Sequence, residues 1–289
     1  MTQDYRFLVA ESELPEDREA RRESVGRSSG ETYADTLRAL VPGARVEQLK
    51  PAEENSPRQE PEVLRRFDAV FLCGSPLHLY EDSPEVRRQV EFMRAVFASG
   101  TPAFGSCAGL QVATVAAGGS VRPNARGHEA GFARRITPTP EGAAHPLLSG
   151  RPPAFDAPAI HSDEVEELPE GATLLASNGV TRVQAAEIRS GEGVFWGVQY
   201  HPELTLFEVA KALRRQAGSL VEGGLVHDRA TVGAQAELIE ALDREPERRD
   251  LAWRLGLDRQ VTDPVLRQAE LRNFLRHLVA PTRAARGRG

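Results

Sequence analysis

Short apolar runs alternate with stretches of helical spacing over roughly the first 215 residues. Residues 7–10 and residues 68–73, which end at Gly74, are compact runs without polar alternation. That is the pattern of a strand buried on both faces of a parallel sheet. Residues 101–105 predict another such strand, and Val46 and Leu49 mark a short one over 45–49. Leu37, Leu40 and Val41 predict a helix over 31–41, stopped by Pro42-Gly43. Ser83-Pro84 opens a second helix, with proline at its first position and an apolar stripe of Val86, Val90, Met93 and Phe97. A third helix is predicted over 108–117. Residues 17–30 are charged and broken by serine and glycine, so they read as a solvated surface loop. Residues 50–61, with three prolines, read as another.

The texture then changes. Residues 127–139, 172–177, 185–189 and 193–200 read as strands separated by glycine and proline turns. Leu206, Val209, Ala210, Leu213, Ala217 and Leu220 mark a closing helix, and Gly223-Gly224 breaks it. Beyond lie three predicted helices, over 234–242, 250–257 and 264–279. The last has Thr262 or Asp263 as N-cap and Leu271, Phe274, Leu275 and Leu278 on one face. Residues 281–289, rich in arginine and glycine, read as a disordered tail. The alternation predicts an α/β fold: a mostly parallel central sheet with helices on both faces, plus a C-terminal helical extension. The expected division is residues 1–222 for the sheet-bearing unit and 223–289 for the extension.

Composition narrows the function. A chain of 289 residues with 40% hydrophobic content can bury a full core without disulfides or metal. A net charge of −6 argues against general nucleic-acid binding. Two cysteines exclude a disulfide scaffold and a multi-cysteine zinc fold, and the histidines show no ligand spacing, so no metal and no cofactor is expected. No apolar run approaches a membrane span or a signal-peptide core, so the expectation is a cytoplasmic protein without membrane contact.

The densest chemical feature is Phe104-Gly105-Ser106-Cys107-Ala108-Gly109-Leu110-Gln111. A strand ends, one residue sits at a sharp turn, and a helix begins: a nucleophile elbow with cysteine in the serine position. The helix N-terminus behind Cys107 favours a thiolate, and the Ala108 N–H points where an oxyanion would form. A lone cysteine is usually a small buried filler, as Cys73 reads at its strand end. The glycines at 105 and 109 set Cys107 apart. Downstream, Gln199-Tyr200-His201-Pro202-Glu203 follows an apolar strand. His201 and Glu203 lie two apart and share a side, and Pro202 fixes the backbone between them. A carboxylate on one imidazole nitrogen leaves the other free to take a thiol proton.

These two stretches resemble the signatures of class I, triad-type glutamine amidotransferases. Three further stretches are similar to the same family, in order, over about residues 5–215. They are Gly74-Ser75-Pro76 with Tyr80 and Asp82, Gly127-His128-Glu129-Ala130-Gly131, and Ile160-His161-Ser162-Asp163-Glu164-Val165. Among family members the likeness is to free-standing ones related to the glutaminase domain of GMP synthase. The resemblance implies a flavodoxin-like fold and hydrolysis of the glutamine side-chain amide through a γ-glutamyl thioester. Cys107 would be the nucleophile, His201 the base and Glu203 its orienting group. Backbone N–H groups of Gly74 or Ser75 and of Ala108 would hold the oxyanion. Gln111, with Ser162 and Asp163, would bind the amino-acid end of the substrate. Leu77-His78 departs from the family pattern, and His78 reads as an exposed loop residue.

The chain has no P-loop and no Ser-Gly-Gly-x-Asp-Ser run, so ammonia-dependent synthesis would need a separate synthetase subunit. Two other readings share these residues. One is a γ-glutamyl hydrolase acting on a γ-glutamyl amine or peptide; the other is a catalytically silent partner-binding or regulatory module. The C-terminal helices have an apolar face that packs either on the same chain or in an oligomer.

Overall fold

The computed structural model describes residues 4–288. Its main sheet has nine strands, and a separate pair stands beside it. The strands are β1 (Arg6–Ala10), β2 (Arg45–Leu49), β3 (Ala69–Leu72), β4 (Ala103–Ser106), β5 (Ser120–Pro123), β6 (Glu129–Pro138), β7 (Phe155–His161), β8 (Asp163–Glu167), β9 (Ala172–Ser177), β10 (Ala185–Ser190) and β11 (Gly193–Val198). The order across the large sheet is β2-β1-β3-β4-β11-β10-β9-β6-β7, with β5 and β8 forming the pair. From β2 to β11 neighbours run parallel; from β11 to β7 they run antiparallel. The predicted α/β architecture is therefore present, and its parallel half carries the buried runs read from the sequence.

Register sets where the chemistry emerges. Leu72 pairs with Gly105, and Ser106 pairs with Val198. The carboxyl ends of β3, β4 and β11 are thus level, and the segments beginning at Cys73, Cys107 and Gln199 leave the sheet side by side. Going from β1, the chain passes to β2 on one side and β3 on the other, so a crevice opens between the exits of β1 and β3. Such switch points are where open α/β sheets take ligands.

Each sheet face has its own cover. Leu8, Val70, Leu72 and Phe195 pack under Val86, Val90, Met93 and Phe97 of the helix Pro84–Ser99. Ser83 caps that helix by accepting from the Val86 N–H, and Gly100 at φ 63° ends it. The opposite face carries Phe7, Phe71, Phe104 and Trp196. It is covered by Tyr33 and Leu37 of the helix Ser29–Leu40, and by Leu271, Phe274 and Val279 near the C-terminus. Phe274 stands edge-on to Phe71 and Trp196, with ring centroids 5.5 and 6.0 Å away. A third cluster joins Leu206, Val209 and Leu213 to Val232, Ala236 and Ile239 of the helix Arg229–Arg244. The apolar face of the C-terminal segment is therefore spent on its own chain.

Three expectations are corrected. Residues 17–30 are not a loop: a helix spans Pro15–Val25, and the next, Ser29–Leu40, opens with a capping box between Ser28 and Glu31. The buried positions of the first helix are Arg18 and Arg21, so its inward face is charged rather than apolar. The helix expected over 264–279 is broken into Pro264–Arg267, Ala269–Phe274 and a widened π turn at Leu275–Val279. That turn lies just ahead of Pro281, which has no N–H to donate and whose ring crowds the carbonyl four residues back. The tail is ordered over its described residues, 281–288, Gly289 lying outside them: Ala280–Ala285 is helical, and Arg283 Nη1 lies 3.0 Å from the buried Asp68 Oδ2. A carboxylate buried at the start of β3 needs a countercharge, and the arginines of the tail supply it. No helix among the described residues is long and apolar enough to cross a membrane.

Phe274 is fully buried at the centre of the second cover. Phe274→Ala is expected to lower the unfolding free energy by roughly 3–5 kcal/mol, the usual cost of emptying an aromatic core site. Urea denaturation checks this; an unchanged midpoint would show that the C-terminal cover does not stabilise the sheet.

Candidate active site

The elbow between β4 and the helix Ala108–Ala116 holds Cys107 at φ 54°, ψ −113°, a conformation that a residue with a side chain seldom adopts. The neighbours make this turn sterically possible. A Cβ on Gly105 would sit 2.8 Å from the Gly109 carbonyl carbon, and one on Gly109 would sit 2.6 Å from the Leu72 oxygen. Only glycine at both positions lets helix and sheet approach closely enough to turn Cys107 outward. The Cys107 N–H donates to Val198 O at 2.8 Å, tying the elbow to β11.

His201 is fixed from two sides. Its backbone N–H donates to Pro158 O at 2.7 Å, and its Nδ1 lies 2.7 Å from Glu203 Oε1. Both side chains are buried. Burial opposes a charge on the imidazole, but the Glu203 carboxylate and a hydrogen bond with Cys107 outweigh it and push His201 up to about 10. The second Glu203 oxygen accepts from Ser106 Oγ at 2.9 Å, and Tyr33 Oη lies 2.8 Å from that same hydroxyl. Since Ser106 gives its hydrogen to the carboxylate, Tyr33 donates to Ser106. The sequence reading missed both residues. Ser106 stands next to Cys107 in an extended strand, so its side chain turns to the other side, an alternation that could have flagged it. Tyr33 left no signal, because it lies in a helix remote in sequence.

The Gly74 backbone runs against both side chains: a Cβ there would lie 2.8 Å from His201 Cε1 and 3.4 Å from Cys107 Cβ. Gly74 and Ser75 border the cleft beside Cys107, and Ala108 opens the helix behind it. On the far flank, Gln111 Nε2 donates to Asp163 O at 3.3 Å and to Gln199 Oε1 at 3.2 Å, so the glutamine braces the Asp163 backbone. Ser162 Oγ donates to Asp163 Oδ1 at 3.3 Å. The two family-like strand segments face each other, with Glu129 opposite His161 in the β6–β7 register and 3.0 Å between Glu129 Oε2 and His161 Nε2. Burial raises the Glu129 carboxyl, but His161, Asn178 and Gln184 outweigh that and hold it below the usual range. His78 is less free than expected: its Nδ1 lies 2.6 Å from Asp163 Oδ2.

Gly74, Ser75, His78, Cys107, Gln111, His161, Ser162, Asp163, His201 and Glu203 border one cleft of about 430 Å³. Its other flank is a wall the sequence reading did not foresee. It includes Glu13, just ahead of the helix Pro15–Val25, and Asp17, Ala20 and Arg21 of that helix, together with Leu204 and Arg215. Burial pushes the Glu13 carboxyl up, against the pull of Arg21. Arg21 Nη2 lies 3.1 Å from Glu208 Oε1, which also accepts from Thr32 Oγ1 at 2.7 Å.

Comparison with known proteins matches this chain to a family. The family described as Glutamine amidotransferase class-I matches residues 31–217. A gamma-glutamyl-L-1-hydroxyisopropylamide hydrolase of a Pseudomonas species is 37% identical over 282 residues, covering 96% of this chain and 94% of that protein. A glutamine-hydrolysing GMP synthase of Leifsonia xyli is 33% identical over 159 residues, which are 53% of this chain and 30% of the relative. Among solved structures, a glutamine amidotransferase from Thermotoga maritima superposes with TM-score 0.64 at 17% identity, covering 95% of this chain and 98% of that one. One from Methylobacillus flagellatus gives 0.60 at 16%, covering 96% and 94%. These two likenesses are of fold, whereas the matched residues run through the elbow, the His-Pro-Glu segment and the strands between. The chain belongs to the class-I glutamine amidotransferase family.

Proposed function

We propose that this protein is a cysteine hydrolase that cleaves the γ-glutamyl amide of an amine, releasing glutamate and the amine. The observation that carries this reading is similarity along nearly the whole chain, C-terminal segment included, to a γ-glutamyl amide hydrolase. The match to a GMP synthase stops at about half the chain. The cleft agrees: beyond His201 it continues along the helix Pro15–Val25, space that ammonia as leaving group does not require. None of the lining side chains comes from beyond Ser219, so residues 1–222 act as the catalytic unit and 223–289 as its cover.

In this mechanism His201, oriented through Nδ1 by Glu203, takes the Cys107 proton on Nε2. The Cys107 sulfur attacks the side-chain carbonyl carbon of the γ-glutamyl group. Backbone N–H groups of Gly74 or Ser75 and of Ala108 hold the oxyanion; one such donor is worth about 10²–10³ in kcat. His201 then returns a proton to the leaving nitrogen, the C–N bond breaks, and a γ-glutamyl thioester remains. Water, deprotonated by His201, attacks the thioester; glutamate leaves and the thiol is restored. Asp163 and Ser162, braced by Gln111, hold the amino-acid end. Hydrolysis of glutamine itself, with ammonia passed to a separate synthetase, is the second reading. It is favoured by the GMP synthase relatives, and the two separate on kcat/KM for glutamine against a γ-glutamyl alkylamide.

Cys107→Ala is expected to abolish glutamate release from any γ-glutamyl donor while leaving the circular dichroism spectrum unchanged. Residual turnover in that variant would remove the proposed nucleophile, and a wild type inert on every donor would favour a silent partner-binding module.

The raised His201 also sets a pH profile. The imidazolium that forms when His201 takes the Cys107 proton persists until the pH nears about 10, so kcat/KM is expected to hold through neutrality and fall on the alkaline side as that proton is lost. Glu203→Gln removes the main raising charge, so its alkaline limb is expected at lower pH, with a smaller loss of rate than His201→Ala. An unmoved limb in Glu203→Gln would contradict the orienting role.

A further inference from the structure

His201 can take a thiol proton on Nε2 only while Nδ1 carries a hydrogen, and Nδ1 lies 2.7 Å from Glu203 Oε1. A carboxylate held by one contact alone is free to turn about its own bond. Glu203 is held by two. Its Oε2 accepts from Ser106 Oγ at 2.9 Å, and Ser106 Oγ in turn lies 2.8 Å from Tyr33 Oη. Ser106 is the last residue of β4 and Tyr33 belongs to the helix Ser29–Leu40, so both hydroxyls come from elements remote in sequence from the His-Pro-Glu segment. The Tyr33 ring is itself seated against Phe71, with 5.9 Å between centroids.

Neither hydroxyl borders the cleft. Tyr33 and Ser106 are fully buried behind it, while their chain neighbours Thr32 and Cys107 line it. The direction of the chain is set as well. Burial, and then the Glu203 charge, push the Tyr33 hydroxyl up, so it keeps its proton and donates. Burial, Glu11 and Glu203 push the Cys73 thiol up at the end of β3, so it too stays neutral beside the carboxylate. Without the Ser106 hydroxyl, Oε2 would be a buried charged oxygen deprived of that donor. It could regain a partner only by turning, and turning carries Oε1 off His201 Nδ1.

We propose, on the cysteine-hydrolase reading above, that Ser106 and Tyr33 are positioning residues of the reaction: a relay of two hydroxyls that keeps the Glu203 carboxylate on His201 Nδ1, with Tyr33 acting only through Ser106. Its effect falls on the transfer of the Cys107 proton to His201. Binding of the γ-glutamyl group is untouched, because neither hydroxyl meets substrate. Loss of the relay therefore lowers kcat and leaves KM alone.

Proton transfer can be read without any substrate, as the rate at which iodoacetamide alkylates Cys107. Cys73 is fully buried and serves as the internal control: intact mass separates singly alkylated, folded molecules from doubly alkylated, unfolded ones. Ser106→Ala is expected to slow alkylation by about tenfold near neutral pH, the worth of one hydrogen bond to a charged group. The deficit is expected to vanish well above about pH 8.5, the ordinary thiol value, where hydroxide takes the proton in place of His201. Tyr33→Phe is expected to give a smaller deficit, and to add nothing when combined with Ser106→Ala. Turnover of a γ-glutamyl amide is expected to fall by similar factors in kcat with KM unchanged. An undiminished rate in Ser106→Ala overturns the relay. So does a deficit that persists at alkaline pH, which is altered access, or a loss confined to KM. Additive losses in the double variant overturn the action of Tyr33 through Ser106. The expected alkylation pattern in a protein that turns over neither a γ-glutamyl amide nor glutamine sustains the relay and overturns the reading beneath it.

Discussion

A sheet whose central strands are apolar on both faces must be covered twice, and the covers decide where everything else can go. One face has the long helix Pro84–Ser99, close in sequence to the strands it protects. The other has a composite cover, part from the helix Ser29–Leu40 and part from residues beyond 270. Phe274 fills the space between Phe71, Phe104 and Trp196, so β3, β4 and β11, the three strands that deliver the site, share one aromatic neighbour from the far end of the chain. A buried ion pair fastens this cover. Arg151 binds Glu270 through two contacts of 2.7 Å, and Tyr200 Oη donates to the same carboxylate at 2.8 Å. Tyr200 immediately precedes His201, so the charge network under the cover ends one residue from the imidazole. Removing either partner would strand a buried charge, which is why such a pair specifies position more than it adds stability.

That rigidity is what makes the elbow possible. A cysteine at φ 54° costs on the order of 1–3 kcal/mol, and the turn persists only where its surroundings over-determine it. Gly105 and Gly109 let the helix Ala108–Ala116 lie against Leu72, and the Cys107 N–H is fixed on β11. The strained residue is therefore clamped by the three strands that Phe274 joins from below. The chain Tyr33–Ser106–Glu203–His201 extends the same logic to the imidazole. Each member has its hydrogen-bond direction set by the next, so the imidazole has one orientation relative to the sulfur.

Legibility in the sequence followed the source of each signal. The strand ending at Gly74, the stripe Val86–Val90–Met93–Phe97 and the elbow were readable because apolar period and glycine placement are local. So was the pairing of His201 with Glu203, two residues apart. The helix Pro15–Val25 was unreadable by the same method, since its buried positions are Arg18 and Arg21, satisfied by Glu53 and Glu208 far along the chain. The order of the arginine-rich tail depends on Asp68, some 215 residues earlier, whose burial no window of the tail reveals. Ser106 and Tyr33 were missed for a related reason: hydrogen bonds between remote side chains have no periodicity. What sequence reading loses here is consistently the charged and polar contact made over long separation.

This division bears on function. On the proposed mechanism, the motifs that identify the family encode the part of the site that would see a γ-glutamyl carbonyl, a part that glutamine and other γ-glutamyl amides share. A fold and a triad can therefore be shared among enzymes with different substrates. Discrimination has to come from the walls, and the two walls have different origins. The flank proposed to hold the amino-acid end is built around Asp163, His161 and Glu129, whose segments match the family pattern. The opposite flank is built from the exit of β1 and a helix with charged residues facing inward, ahead of the residues 31–217 that the family model matches. The wall that is least regular in sequence is thus held by its own hydrogen bonds, Arg21 donating to Glu208 and Ser29 to Glu13, apart from the contacts that fix His201.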